Sequence, residues 1–368
     1  MEESPAPATR GCAHDAKVYL RPMGLVPGAF VQAVAPPGTL LTIGGRLPFS
    51  AVEVIVRAGG HLTRWAMPAA EVEAWAQDRG EFLAESVAGW LARVEAPRPR
   101  FAGLSLERPL IMGVLNVTPD SFSDGGLCPD PESAILKGRR LLAQGADILD
   151  VGGESTRPGS DPTPPEVQLA RIEPVIRALA EEGAVLSVDT RSAEVMAAAL
   201  AAGARIINDV SALKGDRASL AVAADAQGVV LMHMQGEPKT MQQAPRYDCA
   251  PLDIFDFLAE RVEACEAAGL ARERIALDPG IGFGKTLGHN REILSHLPLY
   301  HGLGCPLVVG VSRKSLIARL SAEEPVEQRL AGSLAAALWA VNQGAHILRV
   351  HDVAQTRQAL AVWRGLSE

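Results

Sequence analysis

The residues best able to do chemistry in this chain stand just after short apolar runs. Asn116 follows LIMGVL at 110–115 and opens VTPDSFSDGG, a loop with hydroxyls, the carboxylates of Asp120 and Asp124, the ring of Phe122 and two glycines. An apolar run without polar alternation reads as a strand buried on both faces, so Asn116 marks its exit. A second run reaches Asp150 and opens GGESTRPGS, a Gly-Pro-framed loop carrying Thr156, Arg157 and Pro158, fit to close over a substrate. Asp189 ends the next run, and Asn208 the one after. Met232 and His233 stand at the end of a fifth, and Asp278 ends a sixth before Pro-Gly. Gly280, Gly282 and Gly284 surround Phe283, a spacing that lets backbone come close to a flat ligand. Ser312, Arg313 and Lys314 open a helix, where backbone N–H groups favour negative charge. Arg349 and His351 are two residues apart on a strand and so face the same way.

Each of these residues has a plainer use when taken alone. Asp189 suits an N-cap, Asn208 a turn, Met232 the core, and His233 a satisfied structural position. Arg349 and His351 could each make a surface ion pair. Taken together, Asp189, Asn208 and Asp278 can donate to and accept from a polar heterocycle. Lys314, Arg349 and His351 can hold an anion. No nucleophile–base pair stands out. Such a set suits a transferase that positions two substrates and stabilises an anionic leaving group mainly by electrostatics.

The elements that must position these residues alternate. The pattern predicts strands at 110–116, 148–152, 186–189, 206–209, 229–234, 275–278, 307–310 and 347–350. Helical periodicity falls between them, at 133–144, 167–182, 193–202, 255–268 and 328–342, often ending in glycine. Eight such units in about 265 residues meet the requirement of a (β/α)₈ TIM barrel. A doubly wound open sheet is the alternative, but the count of eight and the polar residues after nearly every strand favour the barrel. Residues 99–368 are read as this catalytic barrel. Residues 1–98 are read as a small N-terminal α/β extension, with β-like runs at 18–20, 39–43 and 51–56 and one helix at 71–93. Prolines make 95–100, EAPRPR, a linker between the two.

Composition narrows the class. The 368 residues carry a net charge of −8, which argues against a general nucleic-acid binder. The five cysteines are scattered without a CxxC pair, so a reducing cytoplasm fits. No basic start precedes an apolar stretch, and the most apolar helix, 331–341, is too short and Ala-rich to cross a membrane.

The ordered motifs NVTPDSFSDGG, GGESTRPGS, SVDT, INDV, LMHMQGEPKTMQ, LDPGIGFGKT, GVSRKS and RVHD resemble dihydropteroate synthase from about Arg108 to His351. The resemblance implies a pterin-binding barrel, usually a homodimer. Such enzymes join 6-hydroxymethyl-7,8-dihydropterin diphosphate to 4-aminobenzoate, giving 7,8-dihydropteroate and pyrophosphate in folate synthesis. It further implies that Asp278, Asn208 and Asp189 bind the amino edge of the pterin, and that Lys314 reaches its carbonyl and N5. Met232, Gly282 and Phe283 would pack on the ring, with Arg349 on its other face. Asn116, Thr156, Arg349 and His351 would take the pyrophosphate, and Asn116 and Asp124 a Mg²⁺ ion. Phe122, Thr156, Arg157, Pro158 and Ser312 would line the aminobenzoate side, where sulfonamides compete. Catalysis would fall to Asp189, Lys314, Arg349 and His351 through dissociative C–O cleavage, with the first two loops ordering over the second substrate. Ile281 stands where the family often has Phe. A pterin-dependent methyltransferase domain would share the pterin-edge residues but lack the two polar loops and the SRKS/RVHD anion site. A silent paralogue is the other alternative.

Overall fold

The computed structural model describes residues 16–26, 36, 38–118, 130–155 and 159–367. The chain first builds a small antiparallel sheet from β1 (Lys17–Leu25), β2 (Leu41–Ile43), β3 (Leu47–Ala58) and β4 (His61–Pro68), with β3 pairing all three others. Alternation gives β3 two working faces. Val52, Val54 and Val56 join Phe49, Trp75, Val87 and Trp90 in one apolar cluster, while Ile55 joins Tyr19, Leu252 and Leu299 in another. β4 was not anticipated. It is an edge strand, mostly exposed, and so lacks a buried apolar period. The single helix expected at 71–93 is two, α1 (Val72–Gln77) and α2 (Glu81–Glu95), because the chain breaks at Gly80 with φ 112°.

Nor is 95–100 a free tether. Arg98 is 9 % exposed and donates to the carbonyls of Val94, Arg93 and His301. A short hairpin, β5 (Arg100–Phe101) with β6 (Leu104–Ser105), then leads into eight parallel strands. They are β7 (Leu110–Asn116), β8 (Ile148–Gly152), β9 (Leu186–Asp189), β10 (Ile206–Asp209), β11 (Gly228–Met232), β12 (Ile275–Asp278), β13 (Val308–Val309) and β14 (Ile347–Val350). Six match their expected bounds. β13 is shorter than expected because the Leu307 N–H donates to His346 Nδ1, a side chain instead of a ladder carbonyl. The spatial order is β12-β11-β10-β9-β8-β7-β14-β13, and a parallel bridge from Leu277 to Leu307 joins the two ends. The doubly wound alternative is excluded, because the sheet curls into a nearly closed barrel.

Helices α3 (Pro131–Ala143), α4 (Pro165–Glu181), α5 (Ala193–Ala201), α6 (Ser219–Ala223), α7 (Ala250–Ala267), α8 (Leu287–Ser295), α9 (Ser315–Leu320), α10 (Leu330–Asn342) and α11 (Val353–Ser367) follow the strands and cover the barrel. Several start where local chemistry dictates. Asp130 accepts from the N–H groups of Glu132 and Ser133 at the head of α3. Pro251 sits in the first turn of α7, where a missing N–H costs nothing, and so α7 begins earlier than expected. The N-terminal sheet packs on α7 and on 297–303. Tyr19 Oη donates to Asp256, Arg57 pairs with Asp253 at 2.6 Å, and the rings of Tyr19 and Phe255 meet edge to face. Among the described residues, Cys249, Cys265 and Cys305 are free and buried.

Candidate active site

Strand pairing sets neighbouring polar residues at one level of the barrel mouth. Asn116 pairs with Gly152, Gly152 with Asp189, and Asp189 with Asn208. Met232 pairs with Asp278 further round. Asp189, Asn208 and Asp278 are each buried, as is Met232. Such burial of carboxylates is uncommon unless they are partnered.

Arg349 is the main partner. Its Nε donates to Asp150 Oδ2 at 2.6 Å and its Nη2 to Asp189 Oδ2 at 2.7 Å. Asn208 Nδ2 also donates to Asp150 Oδ2, at 3.1 Å. Among the described residues the other oxygens, Asp150 Oδ1 and Asp189 Oδ1, are buried with no hydrogen-bond partner. Burial raises the Asp189 carboxyl to about 7, with Asp150 adding to the rise and Arg349 opposing it. The Arg349 guanidinium is held firmly charged by its two carboxylates against the cost of burial. Asp150 was not anticipated. The signal was available, since an acid inside an otherwise apolar strand needs a partner to be tolerated.

Asp278 Oδ1 accepts the N–H of Gly280 at 2.7 Å, and burial raises its pKa against the pull of Lys314. Lys314 donates to the carbonyl of Ile281 and lies 4.7 Å above the centre of the Phe283 ring. Burial lowers the Lys314 ammonium to about 8, and Asp278 opposes the fall. Gly280 is dictated by space, because a Cβ there would come 1.9 Å from the carbonyl oxygen of His233. A Cβ on Gly282 would press on the Lys314 stem at 3.3 Å. The glycine loop thus brings its backbone close to the end of β11 and to the Lys314 stem.

His233 has the structural role expected of it. Its Nδ1 is 3.0 Å from Lys285 Nζ, and its ring packs on Phe257. Lys285, another residue not anticipated, also donates to the carbonyls of His233 and Phe283, tying the glycine loop to the end of β11. Burial pushes the basicity of both groups well down.

Ser312 and His351 meet, with the Ser312 Oγ at 3.1 Å from His351 Nδ1 and accepting the His351 N–H. Arg313 pairs outside the set of Lys314, Arg349 and His351. It occupies a left-handed conformation, φ 59°, and its guanidinium turns to Asp352. That turn places Lys314 directly before α9. A further network holds the base of the second polar loop. Arg191 bridges Glu154 at 3.0 Å and Glu237 at 2.8 Å, and Gly159 N–H reaches the carbonyl of Pro238.

Phe122, Asp124, Thr156, Arg157 and Pro158 lie outside the described residues. Of the two expected Mg²⁺ ligands this leaves Asn116, half-buried at the end of β7. Among the described residues, His, Cys, Asp and Glu form no metal-binding group of three or more. The Asn116 carboxamide oxygen is a hard donor of the kind that Mg²⁺ accepts beside phosphate oxygens and water.

Residues 112–351 match the family described as pterin binding enzyme. The chain is 48% identical over 260 residues to the dihydropteroate synthase of Escherichia coli K12, covering 70% of this chain and 92% of that protein. It is 49% identical over 267 residues to that of Neisseria meningitidis serogroup C, covering 72% and 94%. Among solved structures it resembles the Xanthomonas albilineans dihydropteroate synthase with 4-aminobenzoic acid, with TM-score 0.67, 50% identity, and 72% and 94% coverage. It also resembles that enzyme in complex with 7,8-dihydropteroate, with TM-score 0.64, 47% identity, and 72% and 95% coverage. A Yersinia pestis dihydropteroate synthase with a sulfonamide drug gives TM-score 0.68, 46% identity, and 72% and 96% coverage.

Proposed function

The chain belongs to the dihydropteroate synthase family of pterin-binding enzymes and is a transferase, and from that premise we propose how it acts. It condenses 6-hydroxymethyl-7,8-dihydropterin diphosphate with 4-aminobenzoate, releasing pyrophosphate. The observation that carries this reading is the incomplete polar floor of the mouth. Asp150 Oδ1 and Asp189 Oδ1 are buried acceptors without donors, beside Asn208 and Asp278. An unsatisfied buried acceptor costs about 1–3 kcal/mol, which a heterocycle edge rich in N–H groups would recover.

In this reading Asp278, Asn208 and Asp189 take the amino edge of the pterin, and Lys314 its carbonyl and N5. Met232, Gly282 and Phe283 cover one face and Arg349 the other. The bond between the pterin methylene and the bridging diphosphate oxygen breaks, and its electron pair leaves with pyrophosphate. Arg349, His351 and Asn116 stabilise that departing charge. When bound to the diphosphate, Mg²⁺ supplies further positive charge there. The Asp189 carboxylate stabilises the pterin cation. The arylamine nitrogen then bonds to the methylene, and its proton passes to solvent. No strong base is needed, which agrees with the absence of a nucleophile–base pair among the assigned residues. The roles of Phe122, Thr156, Arg157, Pro158, Ser312 and Asp124 rest on the resemblance alone.

Residues 1–98 serve in this reading as a packing module and 99–368 as the catalytic barrel, supported by the separate apolar cluster within the former. A homodimer is supported by Leu320, Val326 and Trp339, which are exposed at 55 %, 44 % and 48 % on successive segments. Light scattering should give twice the chain mass, and a monomer at micromolar concentration would reject the dimer. No helix among the described residues is long and apolar enough to cross a membrane. The cytoplasm, where buried thiols stay reduced, is the compartment we assign.

The decisive test is pyrophosphate release by the purified chain with dihydropterin diphosphate, Mg²⁺ and 4-aminobenzoate, each omitted in turn. Release should require all three. Tight pterin binding without release would favour the methyltransferase-type or silent alternative.

A further inference from the structure

A cavity of about 280 Å³ opens at the opposite end of the barrel, where the N-terminal module meets its floor. The turn between β2 and β3, the 98–109 segment, the start of β14 and the last turns of α11 form its walls. Among the described residues its lining carries Arg46, Arg98, Arg108 and Arg364 against the carboxylate of Glu107. Most of the lining lies outside residues 112–351, the segment shared with the pterin-binding family.

The partners of these cations matter more than their number. Arg46 donates only to the carbonyls of Leu106 and Glu107. Arg98 donates only to carbonyls, and its buried Nε–H has no partner. Among the described residues neither guanidinium meets a carboxylate. Burial without a counter-charge lowers the Arg98 guanidinium to about 10. Arg108, in contrast to Arg46 and Arg98, pairs with Asp147 at 2.6 Å. A buried guanidinium that lacks an anion is costly. The planar fork of arginine matches carboxylate and phosphate oxygens in pairs. Leu47, Val341 and Trp363 supply an apolar part of the remaining wall, beside the polar His346 and Ser367, and the Trp363 indole is fixed by its bond to Asn342.

We propose that this cavity is a binding site for a small organic anion. Its carboxylate or phosphate lies among Arg46, Arg98 and Arg108, and its apolar part lies against Leu47, Val341 and Trp363. The site is distinct from the catalytic mouth, since 106–109 and 344–346 of its lining lead into β7 and β14 whereas Asn116 and Arg349 lie at or near the far ends of those strands.

Calorimetric titration of the full chain at fixed ionic strength tests this, with inorganic phosphate in one arm and citrate in the other. Saturable binding of at least one is expected, and the tighter one identifies the anion class. Arg46→Gln should weaken it roughly tenfold, the loss expected for one charge-assisted contact. His351→Ala, at the mouth, should leave it unchanged. Should Arg46→Gln fail to fold, Arg108→Gln, at a partly exposed side chain of the same group, takes its place with the same expectation. Three results would overturn the proposal. They are no binding of either anion, full affinity in the folded arginine variant, and loss of affinity in His351→Ala.

Discussion

The floor and the mouth of the barrel are built on the same strands, two residues apart. At the floor, Ile148, Ile206, Val230, Ala276 and Ile347 form one apolar cluster with Phe101. Two positions further along stand Asp150, Asn208, Met232, Asp278 and Arg349. A strand repeats its facing every second residue, so both sets point into the barrel. Their energetics are opposite. The floor is dry and stabilises the fold, at roughly 1.5–3 kcal/mol for each large side chain fully buried. The mouth buries carboxylates against one arginine and leaves two acceptor oxygens unmatched. Stability made in the lower layer offsets the desolvation cost of the upper one, and in the proposed reading the pterin edge would complete what the upper layer lacks.

If this division is right, variants in the two layers should fail differently. Asp278→Ala should have the largest effect, lowering affinity for the dihydropterin diphosphate about 10²–10³-fold while thermal stability holds or rises. A titration showing normal affinity would mean the ring is oriented otherwise. Ile206→Ala in the floor should cost about 2–5 kcal/mol in a denaturant melt, with KM for both substrates nearly unchanged in the folded fraction. A large change in KM without loss of stability would blur the two layers.

The smallest effect is one of pH. Lys314 sits near 8, below its ordinary value, so it is an ammonium donor below about pH 7 and a neutral amine above about pH 9. Pterin affinity should therefore fall as pH rises through about 8, by up to about tenfold. Lys314→Met should bind weakly at every pH, with that dependence gone. Linkage runs the other way for the empty fold. The folded pKa lies below the unfolded one, so the Lys314 contribution to stability grows as pH rises from about 8 toward the unfolded value.

Much of the barrel was legible because its signal is local. Six of the eight strands have the bounds their apolar runs predicted, and Asp189, Asn208, Asp278, Lys314 and Arg349 gather where strand ends should bring them. The N-terminal module was less legible. β4 is exposed on most of its length and shows no period, and the break at Gly80 divides a stretch whose apolar pattern reads as one helix.

What the sequence determined by itself is the kind of residue at each inward position, because a two-residue period needs only a few neighbours to be read. What only the tertiary structure decided is who meets whom. Asp150 and Arg349 are 199 positions apart and become partners when β14 closes beside β7. That closure selects which carboxylate oxygen is satisfied and which, among the described residues, is left without a partner. Lys285 likewise reaches His233 across 52 positions, and the basic cavity arises only where the N-terminal module docks on the floor. Desolvation and pairing depend on distances set by the whole closed ring, so no local stretch of sequence encodes them.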